Sequence, residues 1–106
     1  MYESTFHGLH KWHCHIHERL GWMVLSLRKL EMADNKDMAY DLKTKIDLYI
    51  HEIHHFIRAC EEKISTVHDV DQKEDIKILH DHAKYLHTFA SNNLKTNSKS
   101  KSMKKH

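Results

Sequence analysis

The sequence predicts an all-α protein, an up-down-up antiparallel three-helix bundle followed by a flexible basic C-terminal tail. Three observations carry that expectation. The 106 residues include no proline and two glycines, too few to build the tight turns of a sandwich or barrel. Apolar residues recur at alternating spacings of three and four along three long segments, which is the helical period. Short polar stretches separate those segments, and the length suits a single domain.

The first stripe reads Phe6, Leu9, His13, Ile16, Leu20, Met23, Leu27 and Leu30, predicting a helix over about 5–33. Ser4 or Thr5 can cap its start, since a hydroxyl accepts a bond from the free N–H groups of the first turn. The polar run Ala33 to Asp37 breaks the pattern, and Asp34 or Asn35 can cap a second helix over about 36–68. Its stripe is Leu42, Ile46, Tyr49, Ile53, Phe56, Cys60, Ile64 and Val67, widened by Ile50 and Ile57. Asp69 or Asp71 can cap a third helix over about 71–94, with Glu74 adding negative charge to its first turn. Its stripe, Ile76, Leu79, Ala83, Leu86, Ala90 and Leu94, is thinner.

From Lys95 the composition changes. The segment 95–106 holds five lysines, three serines and one apolar residue, too little to offset its ordering entropy, and is expected to be a disordered tail. The formal charge of +2 therefore divides unevenly, with −3 on residues 1–94 and +5 on the tail. Lys95, Lys99, Lys101, Lys104 and Lys105 can contact phosphates without sequence preference, although no aromatic side chain interleaves with them to stack on bases. The longest apolar run, Trp22 to Leu25, is far short of the roughly 20 residues of a membrane span. With no signal-peptide pattern at the amino terminus, a soluble intracellular protein is expected, without membrane contact.

Thirteen histidines are the conspicuous feature. On a helical projection His13 lies near the centre of the first stripe and His17 on its flank. His54 sits at the edge of the second stripe, and His82 and His87 flank the third from opposite sides. Helices hinged near residues 34 and 69 bring these five to one level, so His13, His17, His54, His82 and His87 could converge in mid-bundle as a zinc or iron site. The competing reading is that so many histidines fall on every face, and that His13 is a hydrogen-bonded core residue. No cofactor other than such a metal is expected.

His51-Glu52-Ile53-His54-His55 matches the metalloprotease pattern H-E-x-x-H. The match reads as fortuitous, because His51, Glu52 and His55 project from the polar side of the helix and no third ligand is indicated. With no nucleophile and base, phosphate loop or inward carboxylate pair, no catalytic residue is assigned and an enzyme is not expected. Cys14 and Cys60 make no disulfide framework, and Cys60 reads as a core residue.

The first helix carries a second apolar stripe, Cys14, Trp22, Leu25 and Met32, away from the core-facing line. An aligned tryptophan there suggests self-association or a protein partner, unless the third helix or the residues before Phe6 cover it. Gly21, beside Trp22, reads as a point of close helix approach.

The segment Phe6-His7-Gly8-Leu9-His10-Lys11-Trp12, then Glu18-Arg19-Leu20-Gly21-Trp22-Met23-Val24-Leu25, and later Glu61-Glu62-Lys63-Ile64, resembles a family of short uncharacterised helical proteins encoded by large DNA viruses of algae and protists. The likeness spans most of residues 5–92. It implies a three-helix protein in a viral setting, in host cytoplasm or virion, and supplies no catalytic or binding residues. Near His13 and His17, where such proteins have aromatic or aliphatic residues, this chain has histidine.

Overall fold

The structure, a computed structural model, describes the backbone of residues 6–103 and the side chains of residues 6–94. Three helices, α1 (Phe6–Met32), α2 (Lys36–Thr66) and α3 (Val70–Met103), run up, down and up. Together they form an all-α bundle measuring 53 × 28 × 16 Å. No described helix is long and apolar enough to cross a membrane. The possible caps Ser4 and Thr5 lie outside the described residues.

The two connections are short because each is closed by its own hydrogen bonds. Asp34 stands in the left-handed region at φ 58°. Its N–H donates to the Glu31 carbonyl at 3.1 Å, and the Asn35 N–H donates to the Leu30 carbonyl at 2.9 Å. This is the Schellman end of a helix, with aspartate where glycine is usual. Asn35 then opens α2, its side-chain oxygen accepting from the Met38 N–H at 3.3 Å. Of the two cap candidates Asn35 is thus the N-cap, and Asp34 terminates α1 instead. At the second connection Asp69 Oδ1 accepts from the N–H groups of Asp71 at 2.9 Å and Gln72 at 3.3 Å. Asp69, not Asp71, is the cap of α3.

The α3 backbone is helical through Met103, past the expected end at Leu94. Nothing between Lys95 and Met103 is glycine or proline, and lysine is a good helix former. The side chains of Lys95, Lys99 and Lys101 lie outside the described residues, as do Lys104 and Lys105 altogether.

The three stripes meet in one core. Leu9, Ile16 and Leu20 of α1, Ile46, Ile53 and Phe56 of α2, and Ile76 and Ala83 of α3 are essentially inaccessible, and no described polar side chain is buried among them. Burying each large side chain stabilises the fold by about 1.5–3 kcal/mol. The α2–α3 interface is the most extensive and α1–α3 the least. The small residues Ala83 and Ala90 are fully buried on α3, where they permit close helix approach. The sparser α1–α3 seam leaves an open groove bounded by His17, Gly21, His82, Tyr85 and Phe89.

Candidate functional site

Along the α1–α3 seam the sequence places His13 and His17 one turn apart on α1, facing His82 of α3. His13 Nε2 and His82 Nδ1 approach to 2.6 Å as a hydrogen-bonded pair. The ring centroids are 4.9 Å apart for His13 and His82, 5.4 Å for His17 and His82, and 6.4 Å for His13 and His17. The ring of His13 also leans on Phe56 at 6.1 Å, and that of His82 stacks on Tyr85. His13 and His82 are partly buried and His17 is exposed. The site is therefore rooted on the core at one end and open to solvent at the other.

Burial and neighbouring imidazoles favour the uncharged forms of His13 and His82. Burial, then the neighbouring His82, His17 and His10, push the His13 pKa down from 6.5 to about 4. His82 is lowered by burial and by His17. A neutral imidazole is the form that binds a metal or shares a proton with its neighbour.

The expected convergence of five histidines does not occur. His54 and His87 pair with each other across α2 and α3 at 6.3 Å, and no described ring contact joins them to the other three. His82 and His87 are five residues apart, about 140° around the helix, so one faces α1 and the other α2. Burial and the adjacent His54 lower the His87 pKa. His13 is also not at the core centre, sitting on the α1–α3 edge instead. As the side chains stand, no three donors among the described residues are arranged to hold a metal ion.

Glu52 corrects another expectation. The helical projection places it on the polar face, but Trp12 Nε1 donates to Glu52 Oε2 at 2.8 Å across the α1–α2 seam. Trp12 meets Phe56 edge-on at 5.2 Å beneath that bond. The carboxylate of the H-E-x-x-H match thus ties two helices together, while His51 and His55 are exposed. The level matching that aligned the histidines contained this pair, since residues 12 and 52 lie at similar distances from the first hinge.

A second staple was also missed. His80 of α3 sets Nε2 against Glu61 of α2 at 2.9 Å and Nδ1 against Asp81 at 3.1 Å. That contact holds the Glu61 carboxyl below the usual carboxylate range. Glu61 and His80 stand near one level about the second hinge, which was the available signal. Cys60 is buried as expected, and burial pushes its thiol up to about 12, leaving it inert.

The outward stripe of α1 is open. Trp22, Leu25 and Met32 are 61, 47 and 88% exposed, and Cys14 is exposed beside them. α3 does not cover this face, and the residues before Phe6 lie outside the described ones. Gly21 is exposed too, and a Cβ added there would meet nothing within 4 Å. It makes no close approach inside the bundle, because it points toward solvent above the α1–α3 groove. In comparisons with family models, curated proteins and solved structures, no significant match to this chain is found.

Proposed function

We propose that this protein acts by contact rather than by catalysis, as a structural or accessory helical bundle whose docking face is the outward side of α1. The carrying observation is the exposure of Trp22, Leu25 and Met32 along one helix face that the rest of the bundle leaves uncovered. Exposed tryptophan aligned with aliphatic neighbours is a surface that gains by burial against another chain. Gly21 adds a flat spot beside Trp22 where a partner helix can approach closely. The first partner to test is a second copy of this chain.

The non-enzymatic reading draws support from Glu52, whose engagement by Trp12 removes the water-activating group from the only protease-like pattern. The setting as a viral accessory or virion component, inside the host cell, rests on the resemblance of the Lys11-Trp12 and Glu18 to Leu25 segments. Light scattering across a concentration series tests the docking face. A concentration-dependent dimer is expected, with Trp22→Ala weakening association by tenfold or more while the helical circular-dichroism signal is unchanged. A strict monomer at all concentrations, with no partner lost on Trp22→Ala, would remove the reading.

A further inference from the structure

We propose that His13, His17 and His82 form a binding site for a zinc-class divalent transition-metal ion that clips α1 to α3. This goes beyond the docking function and does not depend on it. Two of the ligands lie one turn apart on one helix, the spacing that lets two imidazoles reach one ion. The third comes from the neighbouring helix, so the site exists only once the bundle has formed.

The ring spacing fits that role. Three imidazoles on one tetrahedral ion, with metal–nitrogen bonds of about 2.0–2.1 Å, hold their ring centroids roughly 5 Å apart. The observed separations of 4.9, 5.4 and 6.4 Å bracket that value from just below to somewhat above. The nitrogens of His13 and His82 already face each other at 2.6 Å, sharing a proton where the ion would sit. Two ligands of a tetrahedral ion stand about 3.3 Å apart, so binding moves that proton to the other nitrogen of the donor ring, freeing both facing nitrogens for the metal, and parts the rings by a fraction of an ångström. His17 must also turn toward the pair, and its exposure leaves it room to do so. These two adjustments account for the lack of a ready-made three-donor arrangement.

The pairs His54–His87 and His51–His55, and His80, each lack an element of such a site. His54 and His87 form a pair without a third ring. His80 is held by two carboxylates, and His51 and His55 are a solvent-exposed pair. At the triad an open position is available to water, and Cys14 and Glu18 line a shallow depression along α1 together with His13 and His17. Three neutral nitrogen ligands suit zinc, and Co²⁺ serves as its spectroscopic probe.

The test uses untagged full-length protein, freed of metal by chelation and titrated with Co²⁺ and then Zn²⁺. One equivalent is expected to bind tightly, to give the visible absorption of tetrahedral cobalt and to raise the melting temperature. His17→Gln and His82→Gln should each weaken binding at least tenfold, while His54→Gln and the His51→Gln/His55→Gln double variant bind as the parent does. His17 is exposed, so its variant folds even if changes at His13 do not. Absence of stoichiometric binding would overturn the proposal. So would binding that survives His17→Gln and His82→Gln, or that is lost with the His51/His55 pair.

Discussion

Asp34 shows how one backbone angle decides a residue's role. At φ 58° an L-residue crowds its Cβ against the following carbonyl, a cost of roughly 1 kcal/mol that glycine avoids. Asp34→Gly should therefore raise unfolding stability by about 1 kcal/mol, seen as a higher urea midpoint with an unchanged slope. Asn35→Gly should give no such gain, because Asn35 caps α2 through its side chain. Polar residues at 34 and 35 marked a helix boundary in the sequence. Which of them ended one helix and which began the next depends on φ, and composition does not encode that. Gly21 teaches the converse, since a residue without a side chain is compatible with close approach but does not require it.

Between elements, the bond from Trp12 to Glu52 is a polar link of α1 to α2, beside the longer Lys43–Glu31 ion pair at 3.7 Å. Trp12→Phe keeps an aromatic ring near Phe56 but removes the indole N–H together with part of the ring, leaving a part-buried carboxylate without that partner. A loss of about 1 kcal/mol is expected. A double-mutant cycle with Glu52→Ala should return a coupling of similar size, and additivity of the two single changes would show that the bond contributes nothing. The helices themselves were legible from periodicity alone, because each stripe residue from Leu42 to Val67 and from Ile76 to Leu94 is at least partly buried. The seams were less legible. Periodicity tells which face turns inward, whereas Glu52 and His80 lie at the rims of those faces, where a small rotation separates a solvated side chain from a cross-helix partner.

For the molecule as a whole, the lowered histidine pKa values set the response to acid. An unfolded chain protonates His13 near its ordinary 6.5, while the folded chain resists protonation down to about 4. The unfolded state thus binds more protons as pH falls below 6.5, so stability is full at pH 7 and above, declines through that window and levels off below about 4. His82 and His87 act in the same direction. For His13 the shift to about 4 is worth at most about 3 kcal/mol, reduced by solvent access at a half-buried ring to on the order of 1–2 kcal/mol. Thermal melts in the presence of a chelator should fall by about 4–8 °C per kcal/mol lost between pH 7 and 4. His13→Gln should flatten that decline, and a profile as steep as the parent's would place the acid sensitivity elsewhere.

At this scale the division between sequence and fold is clear. The all-α class, the number of helices, their inward faces and the exposed stripe of Trp22, Leu25 and Met32 follow from local spacing, because a helix has one fixed period and apolar residues must leave water. Which histidines meet did not follow. Level matching along the bundle brought five rings to one height, but their grouping depends on the azimuth of each around its helix and on the tighter α2–α3 packing. Those angles separate His54 and His87 from His13, His17 and His82. They are fixed when side chains of three helices compete for one core, a choice among non-local contacts that no single segment contains.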